Sequence, residues 1–192
     1  MIIEIQSTPN PNTKMFFPPK KLVDSLIEIN SLEEAKGFAI AVELMKIIGV
    51  VKLMFTASFI SISKNDNTEW DHIKLDILAI IEDYCNKDGS EENNNIQEDD
   101  TPSINLDDYD EDERGIIKTI EEILEDNVRP AVQNDGGDVR LVKFDNGIVY
   151  LKLRGACSGC PSASVTLKEG IENMLCYYVP GVSEVKNIDD EV

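Results

Sequence analysis

The sequence predicts an α+β protein made of two small α/β-sandwich-like domains that are joined by an acidic disordered linker. Three observations predict this fold class. The chain has 192 residues, which is enough for two small cores. Strand-like and helix-like hydrophobic patterns follow one another at both ends of the chain. Between them, residues 86–113 hold 12 acidic residues against one basic residue, with few apolar ones.

The uneven distribution of charge sets the predicted domain boundaries. The net charge is −19, yet residues 1–85 and 114–192 carry only −4 each. The remaining −11 lies between them, where apolar burial is too small to offset chain entropy. We therefore expect an N-terminal domain over 1–85, a flexible linker over 86–112 and a C-terminal domain over 113–192. The surplus of negative charge argues against nucleic acid and anionic membranes as partners.

The N-terminal domain is predicted to begin with two strands and to end with a helix. Ser31 and Glu34 have the spacing of a capping box that starts a helix, and Gly49 ends that helix. A hairpin and a last helix follow. The predicted elements are strands Ile2–Gln6 and Lys14–Phe17, a helix with Phe38, Ala41, Val42, Met45 and Ile48 on its apolar face, a hairpin of Val50–Phe55 and Ser58–Ser63, and a helix over about Trp70–Cys85.

The C-terminal domain is predicted in the order helix, strand, strand, helix, strand. We expect its first helix to end at Arg129-Pro130, because the residue before a proline is pushed out of helical conformation. Asn146-Gly147 favours a tight turn between the first two strands. The predicted elements are helices over about Glu113–Val128 and Pro161–Tyr177, with Tyr178 on the apolar stripe of the second, and strands Val139–Phe144, Ile148–Arg154 and Val182–Ile188.

Two cysteines stand between the second strand and the second helix of this domain. Cys157 and Cys160 are separated by two residues in Gly155-Ala156-Cys157-Ser158-Gly159-Cys160-Pro161. Proline suits the first position of a helix, which makes Cys160 the predicted N-cap. A thiolate at that position meets unpaired backbone N–H groups and the positive end of the helix, and both stabilise it. The loop therefore suits deprotonated sulfur.

Three chemistries use such a pair of cysteines: zinc binding, dithiol–disulfide exchange and iron–sulfur ligation. A complete metal site needs about four ligands, and the pair supplies two. Cys176 lies off the apolar stripe of its helix and is expected to be a partly buried thiol, while Cys85 and His72 belong to the other domain. If a metal cluster binds, the missing ligands must come from a second copy of the domain. The alternatives are a thiol–disulfide oxidoreductase and an interfacial zinc site with a structural role.

Several stretches of the sequence match a known family. They are Arg129–Asp138, Leu151–Ser162 and Leu167–Leu175 in the C-terminal half, and Gln6–Asn12 and Glu33–Gly37 in the N-terminal half. The C-terminal half resembles the NifU-like C-terminal domain of the Nfu iron–sulfur scaffold proteins, and the N-terminal half resembles the Nfu N-terminal domain. Together they cover nearly the whole chain outside the linker.

The resemblance implies a non-enzymatic scaffold or carrier that forms a homodimer when loaded. It implies that Cys157 and Cys160 of each copy bind a shared [4Fe–4S] cluster, although four thiolates also allow a [2Fe–2S] cluster. The cluster is expected to come from an upstream donor and to pass to apo iron–sulfur proteins. The resemblance names no client and gives no role to the N-terminal domain. The long acidic linker departs from the family pattern.

Two further motifs are expected to have structural roles only. Asp135-Gly136-Gly137-Asp138 is interpreted as a turn that needs two glycines, and Tyr177-Tyr178 as packing at a helix end. No uncharged run reaches the roughly 20 residues of a membrane helix. The N-terminus lacks both a secretory and a mitochondrial targeting pattern. These observations predict a bacterial cytoplasmic protein, with the mitochondrial matrix as the alternative.

Overall fold

The structure is a computed structural model in which residues 2–87, 104–158 and 161–188 are described, residues 161–164 by their backbone alone. The chain divides into two compact units, Met1–Asp100 and Thr101–Val192. Each unit packs helices on a sheet around an apolar core of its own, which confirms the predicted α+β class. Among the described helices, none is both long enough and apolar enough to cross a membrane.

The N-terminal unit is an antiparallel sheet with two helices. Its strands are β1 (Glu4–Ser7), β2 (Thr13–Phe17), β3 (Ile27–Ile29), β4 (Val50–Phe55) and β5 (Ile60–Lys64), and its helices are α1 (Ala39–Met45) and α2 (Trp70–Asn86). The strand order is β1-β2-β5-β4-β3. The predicted hairpin and last helix are confirmed. The three residues of β3 were not predicted, because so short a run carries no readable alternation.

The first helix of this unit starts later than predicted. The capping hydrogen bond at Ser31 does form, since the Glu34 N–H donates to the Ser31 Oγ at 3.2 Å. Gly37 then adopts a φ of +94°, which no helix continues through, and α1 begins only at Ala39. The apolar face is shifted as a result, and Ile48 is exposed rather than packed.

The C-terminal unit has a three-stranded sheet in the order β6-β7-β8. Its elements are the helices α3 (Glu111–Ile123), α4 (Arg129–Asn134) and α5 (Pro161–Tyr178) and the strands β6 (Gly137–Asp145), β7 (Ile148–Gly155) and β8 (Glu184–Asn187). The hairpin β6–β7 turns at Asn146-Gly147, where both residues have positive φ, as predicted. Strands β7 and β8 are parallel, with α5 as their crossover. Tyr178, predicted for the buried stripe of α5, is exposed, and Val179 is buried instead.

Helical structure continues past Pro130, so the predicted helix end at Arg129-Pro130 is wrong. A π-helical turn, Leu124–Val128, joins α3 to α4. The wider spacing of its hydrogen bonds lets the chain pass a proline that has no N–H to donate. The prediction relied on the conformational restriction of the residue before a proline, yet Arg129 keeps helical angles, with φ −58° and ψ −42°.

Residues 88–103 of the predicted linker lie outside the described residues. The last nine residues of the linker, 104–112, lie against the C-terminal unit, and three of their side chains contact its core: Ile104, Leu106 and Tyr109. The Tyr109 hydroxyl also accepts a hydrogen bond from the Phe144 N–H at 3.3 Å. These apolar side chains are spread among acidic residues, and so the charge pattern alone assigned them to the linker.

Candidate functional site

The cysteine loop follows the last residue of β7. Gly155 ends that strand with a φ of +59°, a left-handed conformation that favours glycine, and α5 begins at Pro161 as predicted. Ala156, Cys157 and Ser158 form the turn between them. Gly159 and Cys160 lie outside the described residues. The assignment of Cys160 as N-cap and second ligand therefore stays a prediction.

Backbone hydrogen bonds hold this loop to the start of β6. The Ala156 N–H donates to the Gly136 carbonyl at 3.0 Å, and the Cys157 N–H donates to the Arg154 carbonyl at 3.3 Å. Both the N–H and the hydroxyl of Ser158 donate to the Gly155 carbonyl at 3.2 Å. The position of Cys157 is thus set by the β6–β7 hairpin rather than by the helix alone.

The two glycines of Asp135-Gly136-Gly137-Asp138 have different roles. Gly136 has a φ of +78° and serves the predicted turn. Gly137 pairs with Gly155 across the hairpin and lies against the cysteine. A Cβ at Gly137 would lie 2.5 Å from the Cys157 Sγ and 2.9 Å from the Arg154 carbonyl oxygen. The turn interpretation is right for Gly136 and incomplete for Gly137, which leaves the space that the thiol occupies.

Cys157 itself is buried, with 6% of its surface exposed, and belongs to the apolar core of the unit. Its neighbours in the loop, Gly155 and Ala156, are buried as well, and Ser158 is half-buried. A thiol in this position is held in place by the surrounding backbone and has little contact with solvent.

A buried group of charges adjoins the loop. Asp138 and Arg154 are directly paired across β6 and β7, and both are buried, Arg154 with 3% exposure. The Arg129 Nε lies 3.4 Å from the Asp138 carboxylate, and Arg129 also pairs with Glu125. Burial raises the pKa of the Asp138 carboxyl, and the charge of Arg129 partly opposes that rise.

Sequence reasoning missed this group because the residues lie far apart in the chain. Arg129 comes from α4, Asp138 from β6 and Arg154 from β7. A charged residue on a strand is usually at the surface, and nothing local marks Asp138 and Arg154 as buried. The predicted hairpin did not indicate it either, because a register shift between Leu141 and Lys143 is what places Asp138 opposite Arg154.

The other cysteines and the histidine do not join the loop cysteine in one cluster. Cys85 is buried in the core of the N-terminal unit, and burial raises the pKa of its thiol, with the charge of Lys20 opposing. Cys176, predicted to be partly buried, is exposed on α5. His72 lines an open groove of the N-terminal unit. Within the described residues, no three His, Cys, Asp or Glu side chains are grouped so that they could hold a metal ion.

Fold and site together define a class: a two-unit α+β protein that holds a cysteine at a strand-to-helix loop. Two models of protein families match the chain. The model for the "Scaffold protein Nfu/NifU N terminal" covers residues 3–88, and the model for the "NifU-like domain" covers residues 120–186. These matches correspond to the N-terminal and C-terminal units.

Curated relatives match the chain over its full length. It is 40% identical to "NifU-like protein 4, mitochondrial" and 39% identical to "NifU-like protein 5, mitochondrial", both of Arabidopsis thaliana, over 66% and 68% of those proteins. It is 37% identical to the human "NFU1 iron-sulfur cluster scaffold homolog, mitochondrial", over 73% of that protein. The chain therefore belongs to the NifU-like (Nfu) family, which confirms the resemblance. It spans about two thirds of the length of the two plant relatives.

Among solved structures, the chain is similar to the solution structure of a NifU-like protein from Saccharomyces cerevisiae. The TM-score is 0.39 at 24% identity, over 42% of this chain and 75% of the yeast chain.

The predicted bacterial cytoplasmic location is wrong. Relatives from a plant, a fly and a human are all named mitochondrial, which contradicts a bacterial cytoplasm. The prediction relied on the first residues of the chain. Those residues are no guide to targeting, because the chain spans only part of the length of these relatives.

Proposed function

We propose that this protein is a mitochondrial iron–sulfur scaffold that carries a [4Fe–4S] cluster between two copies of the chain. Cys157 and Cys160 of each copy supply the thiolate ligands. The cluster is cargo: it arrives from an upstream donor and leaves to apo iron–sulfur proteins. The protein itself catalyses no reaction in this proposal.

The observation that carries the proposal is the C-x-x-C pair, in a chain whose two halves match the two family models. The relatives are named iron–sulfur cluster scaffold homologues. The loop geometry agrees with the role, because backbone hydrogen bonds and Gly137 hold Cys157 in one position. Preorganised ligands bind a cluster without a large ordering cost.

The count of ligands supports a shared cluster. Clusters of this kind take about four cysteine ligands, and the described residues offer no further donor grouped with Cys157. Two copies related by a two-fold axis provide two C-x-x-C pairs facing one another. A site that lies between subunits, rather than inside one, opens when the subunits separate, which suits release of the cargo.

Release is ligand exchange rather than electron transfer. A thiolate of the client replaces one thiolate of the carrier at iron, and the displaced cysteine takes up a proton. Four such exchanges move the intact cluster. The buried Asp138 and Arg154 are paired across the hairpin that presents Cys157, and the half-buried Arg129 lies against Asp138.

Anaerobic reconstitution of the full chain with ferrous iron and sulfide tests the proposal. The expected result is four iron and four sulfide ions per dimer, with a Mössbauer spectrum of a [4Fe–4S] cluster, and a shift from monomer to dimer in size-exclusion chromatography. Cys157→Ala and Cys160→Ala should each abolish the cluster, whereas Cys176→Ala, a matched change at an exposed cysteine, should retain it.

Three outcomes contradict the proposal. One is a wild-type chain that binds no cluster, and another is a Cys157→Ala variant that still holds one. The third is turnover in an insulin-reduction assay that depends on Cys157 and Cys160, which identifies a thiol–disulfide oxidoreductase instead.

A further inference from the structure

The sheet of the C-terminal unit is basic, although the chain as a whole is strongly acidic. Its three strands, Gly137–Asp145, Ile148–Gly155 and Glu184–Asn187, hold five basic residues against three acidic ones. The whole chain has 18 basic and 37 acidic residues. This reversal of sign lies in the same strands that carry the cysteine loop.

Four of the five basic side chains are accessible on the face of the sheet that is turned away from the core, whereas Arg154 is buried beside Asp138 at the end of that face. Along β7, Val149, Leu151 and Leu153 are buried, while Tyr150 and Lys152 between them are half-buried. The register places Arg140 opposite Lys152, and it places Lys143 and Lys186 on either side of Tyr150. We call Arg140, Lys143, Tyr150, Lys152 and Lys186 the basic face.

Tyr150 lies at the centre of the basic face. The Lys143 Nζ is 5.5 Å and the Lys186 Nζ 6.0 Å from the centroid of its ring, so both cations contact the aromatic side chain. Tyrosine and arginine are enriched at protein interfaces, and Tyr150 and Arg140 are of these two types. Lys143 is also exposed and pairs with Asp145 at 2.7 Å at the far end of the face.

The pairing of Arg140 with Lys152 lowers the stability of the isolated sheet. Like charges directly opposite one another on antiparallel strands repel. Glu121 of α3 offsets part of this repulsion, because its carboxylate interacts with the charge of Arg140. That interaction lowers the pKa of Glu121 and so opposes the burial that raises it. A carboxylate bound across the two strands would weaken this repulsion further.

The opposite, helical side of the unit has the other sign. Helix α3 carries five acidic residues, Glu111, Asp112, Glu113, Glu121 and Glu122, against Arg114 and Lys118. The unit is therefore electrically polarised. A negatively charged partner is steered toward the sheet face and away from the helices.

The edge of the sheet is less accessible than its face. Strand β8 is an edge strand, but the Val185 N–H already donates to the Glu172 carboxylate of α5 at 2.9 Å. A strand added at that edge would have to displace this bond. The open part of the face, by contrast, is about 14 Å wide and about 16 Å long, because Asp138 and Arg154 at the end next to the cysteine loop are buried. It accommodates about three turns of one helix of about 10 Å diameter.

We propose that the basic face docks an acidic segment of a partner protein beside the cysteine loop. Lys152 stands five residues before Cys157, which at about 3.3 Å per residue places the docked segment within about 17 Å of the loop. A short acidic segment fits better than nucleic acid, because a chain of net charge −19 repels an extended polyanion. That this partner is the recipient of the cluster rests on the proposed function.

Titration of the isotope-labelled apo chain by NMR tests the docking site without any cluster. The probe is a synthetic amphipathic helical peptide with glutamates along one face. We expect amide shifts concentrated in β6, β7 and β8, and binding that weakens with added salt. The double variant Lys152→Glu/Lys186→Glu should bind on the order of tenfold more weakly or worse, because it turns attraction into repulsion. Its amide spectrum should otherwise stay that of the folded protein.

Matched variants decide between this site and a general charge effect. Lys118→Glu/Lys168→Glu makes the same charge change on α3 and α5 and should bind like wild type. An equal loss in both double variants, shifts centred outside the sheet, or no binding contradicts the proposal. Tighter binding of inorganic polyphosphate on the same residues also contradicts it and identifies a phosphate site. Iron content after reconstitution is measured separately, so that failure of the cluster proposal is distinguishable from failure of the docking site.

Discussion

The two units bury a cysteine each, and they bury it in different ways. Cys85 lies on α2, inside a regular helix whose buried stripe also includes Ile77 and Ile81. Cys157 lies in a loop just after β7, against a glycine of β6. Both thiols are almost fully covered, so burial by itself does not distinguish them.

The difference is what surrounds the sulfur. Around Cys85 the neighbours are apolar side chains, and burial raises the pKa of the thiol, which is typical of an inert core cysteine. Cys157 also touches the apolar core of its unit, but backbone groups of the hairpin lie against it, and the buried Asp138 and Arg154 lie one strand pair further. Cys85 of the N-terminal unit therefore serves as a small apolar core side chain. Cys157 of the C-terminal unit lies in a loop whose backbone contacts fix its position.

The largest expected effects come from the cores of the two units. Ile81→Ala and Leu175→Ala each remove a fully buried side chain and should lower the free energy of unfolding by about 2–5 kcal/mol. Because each unit has its own core, Ile81→Ala should leave cluster content unchanged and Leu175→Ala should reduce it. Trp70, the single tryptophan, reports on the N-terminal unit in chemical denaturation. A shift of the Trp70 transition in Leu175→Ala would show that the units unfold together.

The next effect concerns the contact between Gly137 and Cys157. Gly137→Ala places a methyl group in the space of the thiol and should cost about 1–3 kcal/mol of unfolding free energy. It should also displace Cys157 and sharply reduce cluster content, measured as iron per dimer. The control is Gly170→Ala, on helix α5, where an added Cβ meets no atom within 4 Å. This variant should raise the free energy of unfolding by about 0.5–1 kcal/mol and keep the cluster. Wild-type iron content in Gly137→Ala contradicts the positioning role.

Thiol reactivity compares the cysteines directly. Cys176 is exposed and should react with iodoacetamide well before Cys85, whose thiol is buried and has a raised pKa. Mass spectrometry of the labelled apo chain over time measures both rates. In urea the two rates should converge. Equal rates in the folded protein would mean that α2 opens readily around Cys85.

The smallest effect is a change in pH dependence. Burial raises the pKa of Glu121, with Arg129 and Arg140 opposing, so the folded state binds that proton more tightly than the unfolded state does. We therefore compare the free energy of unfolding of the wild type with that of Glu121→Gln. The wild-type advantage should be greatest at a pH below the pKa of Glu121 in the unfolded chain, and it should fall as the pH rises through the higher pKa of Glu121 in the folded protein. Urea denaturation of both proteins across the acidic range measures this difference. A difference that grows with pH contradicts the sign.

Local sequence patterns were enough for several parts of the fold. Asn146-Gly147 demands positive φ at two adjacent residues, and Pro161 suits a first helical position, so both elements were located without knowledge of the rest. The C-x-x-C spacing and the family resemblance identified the candidate site in the same way. The helix that continues past Pro130 and the late start of α1 after Gly37 were missed, because in each case one backbone conformation overrode a strong local pattern.

The sequence alone was enough to predict the order of strands and helices along the chain, and it identified Cys157 and Cys160 as a pair. Both depend on residues that are neighbours in the chain, since turn geometry, helix capping and ligand spacing act over a few residues. The contact between Gly137 and Cys157 and the burial of Asp138 opposite Arg154 required the folded hairpin, since they join residues 20 and 16 positions apart in the chain. The basic face likewise exists only once three strands align. Packing and electrostatics depend on distance in space, and only the tertiary structure sets that distance.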